Sequence, residues 1–84
     1  MDLVISKILD DLRLLINKKI NISVLSQRIY YYLQEYYHGN MEICYNKANM
    51  IEKLLNNLKD KNELDKLTIK EIFQLINKIL IEKY

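Results

Sequence analysis

Apolar residues recur at intervals of three and four from one end of this chain to the other, and no stretch alternates long enough to form a half-buried strand. Such a period is satisfied only by helices whose apolar stripes cover one another. The chain has no proline, and its one glycine, Gly39, falls between two periodic segments. Helix ends must therefore be set by capping residues and polar clusters. At 84 residues there is room for a single core, so residues 1–84 are expected to form one helical-bundle domain. A domain of this size hides only about 60–65% of the surface its unfolded chain exposes, which leaves stability modest.

The first stripe, Ile5, Ile8, Leu9, Leu12, Leu15 and Ile16, predicts a helix from Asp2 to Lys18, with Asp10-Asp11 as a solvated pair on its outer side. Asn21 is the natural cap of the second helix. Ile20 then precedes the cap and Leu25 stands at the fourth helical position, the pairing of a hydrophobic staple. This helix is expected to reach Tyr37, with Ile22, Leu25, Ile29, Tyr32, Leu33 and Tyr36 inward and His38-Gly39 as its stop. Asn40 caps a third helix with Met41, Cys44, Ala48, Ile51, Leu55 and Leu58 inside, fading near Lys59. Residues 59–67 form a charged connection in which Leu64 and Leu67 can fold back as a short turn. Thr68 and Glu71 then make a capping box, with Leu67 and Ile72 as its staple. They open a last helix from Ile69 to Glu82 with Ile69, Ile72, Leu75, Ile76 and Ile79 inward. Four helices with short links predict an all-α, four-helix antiparallel bundle, because short connections force neighbours to reverse direction.

Reactive chemistry finds little support. One Gly rules out a glycine-rich phosphate loop, and no paired carboxylates stand out. Of the softer metal ligands there are His38, Cys44 and nearby Glu42, and Cys44 points inward with Ala48 and Ile51, as a free Cys commonly does. Arg28 and His38 lie about three turns apart on a helix, a spacing too long to resemble the Arg-and-His ribonuclease motif of some small helical toxins. No catalytic residue, cofactor or metal is expected, and the chain is not read as an enzyme. A lone Cys cannot close an internal disulfide, so a reducing cytoplasm is the expected location. Asp2, Lys7, Asp10 and Asp11 break the N-terminal segment, which is expected to be neither a signal peptide nor a membrane span. The net charge of +2 comes from lysines scattered among acids, a mixed-charge surface that argues against nucleic acid as partner.

The tyrosines stand out. Of 7 in the chain, all but the last fall between Tyr30 and Tyr45. On a helix, Tyr32 and Tyr36 share the inner side, Tyr30 and Tyr37 lie on a flank, and Tyr31 points outward. An exposed Tyr suits a protein interface, since it brings a large apolar body, a polar tip and little rotamer entropy to lose. An AT-rich coding sequence also favours Tyr, Ile, Lys and Asn, so tyrosines that merely cover a small core are the competing reading.

The stretch from Ile8 to Tyr37, an apolar helix followed by NKKINISVLSQRIYYYLQEYY, resembles the opening of the small helical immunity proteins of the colicin D type. The closing LTIKEIFQLINKIL is similar to their capped terminal helix. The segment ANMIEKLLNNLKDKN followed by KLTIKEIFQLINKIL is similar to the later helices of the immunity proteins of pediocin-like bacteriocins. Both resemblances imply a cytoplasmic helical bundle that confers immunity. The first implies direct inhibition of a ribonuclease toxin, and the second implies protection through a membrane receptor complex. Inhibitors of the first type present acidic residues to a basic active site. Here Glu35 and Glu42, with Asp10 and Asp11, are the carboxylates to do so, on a chain that is net basic.

The expected function is therefore toxin or bacteriocin immunity through protein–protein binding. The expected partner-binding residues are Tyr30, Tyr31, Glu35, Tyr37, Glu42 and Tyr45. Two alternatives stand beside it: a small helical nucleic-acid-binding regulator, and a homo-oligomeric bundle of viral or plasmid origin. In the latter, a homodimer buries Val24, Tyr31 and Ile81.

Overall fold

The computed structural model describes residues 2–82. Its helices are α1 (Asp2–Ile16), α2 (Ile22–Tyr36), α3 (Met41–Asp60) and α4 (Ile69–Ile81), with a 3-10 turn at Leu64–Lys66 before α4. This is the all-α four-helix bundle expected from the periodicity. Packing contacts join α1 to α2 and α4, and α3 to α2 and α4. Neighbours run antiparallel. Asp11 in α1 meets Arg28 and Tyr32 in α2, and Lys47, early in α3, meets the last carbonyls of α4.

The caps behave as local chemistry dictates. The side chains of Asn21 and Asn40 accept the backbone N–H of Val24 and Ile43 at 2.8 and 3.3 Å. At α4 both halves of the capping box are made: Glu71 N–H donates to Thr68 Oγ1 at 3.1 Å, and Thr68 N–H to Glu71 Oε1 at 3.0 Å. The Thr68 backbone N–H and then its hydroxyl hold the Glu71 carboxyl below its ordinary range. Stabilisation by this bond is complete at neutral pH and is lost as pH falls through the lowered value.

Three helices end in one way. Lys19 N–H donates to Leu14 O, Gly39 to Gln34 O and Glu63 to Leu58 O, while the residue before each bonds Leu15, Glu35 or Lys59. These are Schellman closures, which require a left-handed residue. Lys18, His38 and Asn62 occupy it, with φ of 60°, 52° and 57°. The sequence reading carried α1 on to Lys18, whereas it stops at Ile16 because Lys18 is the left-handed residue that closes it. At α2 the closing role belongs to His38, and Gly39 follows with φ of 78°. Lysine carries a Cβ, which crowds the backbone at φ of 60°. Lys18→Gly is therefore expected to raise stability by about 0.5–1 kcal/mol. Urea unfolding checks this, and a lower midpoint for the glycine variant would contradict it.

The core is built from Ile8, Leu12, Leu25, Ile29, Leu33, Ile51, Leu55, Ile72 and Ile76, all fully buried, with Cys44 among them. Each such aliphatic side chain contributes about 1.5–3 kcal/mol on burial. Several inner-face assignments need correction. The buried face of α1 is rotated so that Val4 and Asp11 are inside while Ile5, Leu9 and Ile16 are half-buried. Asp11, expected in solvent, is buried because Arg28 and Tyr32 of α2 supply hydrogen bonds to its two oxygens. Tyr36 and Met41 were expected inside and are 43% and 60% exposed. They flank the α2–α3 turn, where His38 and Gly39 in left-handed conformation carry the chain around the end of the bundle. On α4, Leu80 is buried, and Ile69, Leu75 and Ile79 are half-buried.

Candidate protein-binding surface

The contact between α2 and α3 rests on small residues. Ser26 and Ala48 are both buried, and Ser26 Oγ donates to Ala48 O at 3.2 Å. Two backbones that approach this closely leave a trough between the larger side chains on either side. That trough is an open groove of about 320 Å³ with Ser26 and Ala48 in its floor and Tyr30 and Tyr45 among its walls. Gln27, Asn49 and Glu52 add amide and carboxylate groups to its lining. Aromatic walls beside these amide and carboxylate groups give a partner both apolar area and hydrogen-bonding groups.

The structure brings some of the expected binding residues together and leaves others apart. Tyr30 is half-buried beside the groove, and its ring meets Tyr31 edge-on at 5.5 Å between centroids. Tyr31 is 61% exposed, and Glu35, one turn further along the same outward stripe, is exposed as well. Tyr45 is 63% exposed, with exposed Glu42 one turn before it on α3. Tyr37 differs from these. It is half-buried, its hydroxyl donates to Leu80 O at 3.1 Å, and burial pushes its phenol pKa up. Its polar tip is thus engaged within the fold, although its ring stacks edge-on with exposed Tyr36 at 4.8 Å.

Five contributors, in two groups, escaped the sequence reading. Gln27, Asn49 and Glu52 line the groove, and Tyr36 with Met41 extends the exposed apolar surface around the α2–α3 turn. The signal for the first group was the pair of small residues, Ser26 and Ala48, one on each helix. Small residues at helical spacing mark where two helices approach most closely, and their neighbours at three and four positions line the seam.

Other polar clusters are taken up by structure. Asp11 Oδ1 accepts from Arg28 at 3.2 Å and its Oδ2 accepts from the Tyr32 hydroxyl at 2.5 Å. Burial first, then the hydrogen bond to Asp11 and its charge, pushes the Tyr32 pKa up to about 12. A carboxylate with both oxygens engaged and a phenol that holds its proton to this pH make a tie between α1 and α2. They do not make an acid–base pair for neutral pH. The Cys44 thiol is buried, and that burial raises its pKa, which disfavours the nucleophilic thiolate. No protein-family model, curated protein or solved structure matches the chain.

Proposed function

We propose that this chain is an immunity protein that acts in the cytoplasm by binding a toxin or bacteriocin, with the α2–α3 face as its contact surface. The observation that carries the surface is the exposure of Tyr31 and Tyr45, at 61% and 63%, on either side of a groove walled by Tyr30 and Tyr45. Large aromatic side chains held in water contribute little to a monomer. At an interface, the same rings bury area at low entropic cost. Glu52 lines the groove, Glu42 lies one turn before Tyr45 and Glu35 one turn beyond Tyr31, carboxylates that would complement the basic residues of a ribonuclease active site and favour direct inhibition. The similarity of NKKINISVLSQRIYYYLQEYY and LTIKEIFQLINKIL to helical immunity proteins supports the same reading.

A tagged pull-down from the native host, washed at moderate salt, is expected to retain one stoichiometric toxin whose activity the chain inhibits. Tyr31→Ala and Tyr45→Ala are each expected to weaken that complex about tenfold. Their melting curves should stay close to the parent, because both side chains are mostly exposed. Unchanged affinity in both variants sinks this placement. Recovery of nucleic acid, or of this chain alone, sinks immunity itself in favour of a regulator or a homo-oligomer. A membrane transporter as the retained partner replaces direct inhibition with receptor-dependent protection.

A further inference from the structure

The end of the bundle away from the α2–α3 turn is concave. Where α1 stops, α2 starts and α3 stops, a cavity of about 790 Å³ opens to solvent. Sites for small organic molecules span about 300–1,000 Å³. Its floor is apolar: Leu15 is buried in the core, and Ile16, Ile20 and Leu64 are half-buried against it. Its rim is cationic, with exposed Lys18 and Lys19 in the α1–α2 turn and Lys59 in the last turn of α3.

Two features make this more than a dent with lysines nearby. The mouth is shaped by two helix closures, since Lys18 and Asn62, both in the lining, are the left-handed closing residues of α1 and α3. The lining also carries more cations than anions, three lysines against one carboxylate. The ion pairs among the described residues are Arg13–Asp10 and Arg28–Asp11, and neither involves a rim lysine. Asp65 is the single carboxylate among the lining residues described. An apolar bowl beneath three unpaired ammonium groups is the complement of a molecule with one anionic head and an apolar tail. A neutral ligand gains nothing from those ammonium groups, which stay hydrated, and a cationic one is repelled. An extended polyanion needs a basic stripe, which a bowl closed by two helix ends does not offer.

We propose that this cavity binds a single-chain anionic amphiphile, its carboxylate or phosphate head on Lys18, Lys19 and Lys59 and its tail against Leu15, Ile20 and Leu64. The site lies at the opposite end of α2 from Tyr36 and does not depend on the immunity reading.

The test is titration of the isotope-labelled full chain with dodecanoate and with dodecyl phosphate, each below its micelle concentration. Dodecyl maltoside and dodecyltrimethylammonium serve as neutral and cationic controls. Saturable amide shifts are expected in residues 15–24 and 59–65, the segments that line the cavity. The anions should bind at least about tenfold more tightly than the controls, and the two anions together reveal whether a carboxylate or a phosphate head is preferred. An exposed charge pair is worth a few-fold in affinity, so Lys19→Gln/Lys59→Gln should weaken anion binding about tenfold while leaving the melting curve unchanged. The proposal is overturned by absence of saturable shifts, by equal binding of the controls, by shifts centred on the tyrosine face, or by a lysine variant that retains full affinity.

Discussion

Replacing Lys47 by Ala is expected to lower stability by about 3 kcal/mol, and the loss should be felt first at the far end of another helix. Lys47 is 2% exposed, and its ammonium lies on the C-terminal end of α4, where it donates to Ile79 O at 2.5 Å and Glu82 O at 2.6 Å. Carbonyls in the last turn of a helix lack intrahelical partners and carry the negative end of the helix dipole, so a cation there both completes hydrogen bonds and meets favourable charge. The Tyr37 hydroxyl holds the adjacent Leu80 carbonyl. Together these two side chains fasten the last turn of α4 to the α2–α3 corner. Lys47→Ala removes the donors and the packing of the stem. Lys47→Met keeps the stem, and is expected to lose about 2 kcal/mol. Denaturant melts give the totals, and amide exchange at residues 79–82 should rise before exchange elsewhere. A methionine variant as stable as the parent, with α4 exchange unchanged, would show that the ammonium does not hold this helix end.

Asp11 is the second anchor. Asp11 is 4% exposed, and its carboxylate joins α1 to α2 through Arg28 and Tyr32. Asp11→Ala is expected to lose about 2–3 kcal/mol, since it leaves a half-buried phenol without an acceptor and a small cavity beside the core. Arg28 adds little to this loss, because its side chain is 44% exposed and returns to water. Asp11→Asn keeps an acceptor of similar shape, and about half the loss is expected. The same tie dictates behaviour in alkali. The charged form of Tyr32 is disfavoured in the folded state, where its pKa rises from 10.0 to about 12. A raised folded value means that the unfolded chain releases the proton first. The contribution is therefore complete below pH 10 and is lost as pH climbs towards 12. Tyr37, raised by burial, acts in the same direction. Tyr32→Phe should flatten the alkaline limb of the stability profile at a cost of about 1 kcal/mol near neutrality. An unchanged alkaline limb would remove Tyr32 from this account.

The sequence reading worked where one residue's own chemistry decides the outcome, and failed where a partner distant in sequence decides it. Asn21, Asn40 and Thr68 are caps because their side chains reach a backbone N–H three residues on, whatever the rest of the chain does. Lys18 closes α1 although lysine has no local preference for that conformation. Asp11 read as a solvated surface residue, and nothing in the sequence singled out Lys47; each is buried because another helix supplies its partners. On the tyrosine face, helical geometry already set Tyr31 outward. The groove between Tyr30 and Tyr45 exists only because α2 settles on α3 at Ser26 and Ala48.

By itself, then, the sequence determined the number of helices, their starts, most of the aliphatic core and the exposure of Tyr31. Each of these follows from period or from hydrogen bonds a few residues long. Tertiary packing decided how far each helix rotates about its axis, and with it the burial of Asp11 and Lys47, the exposure of Tyr36 and Met41, and both concave surfaces. A stripe of apolar residues fixes a helix face only to within the width of the stripe. The polar residues at its edges are placed by whichever neighbouring helix offers them a partner.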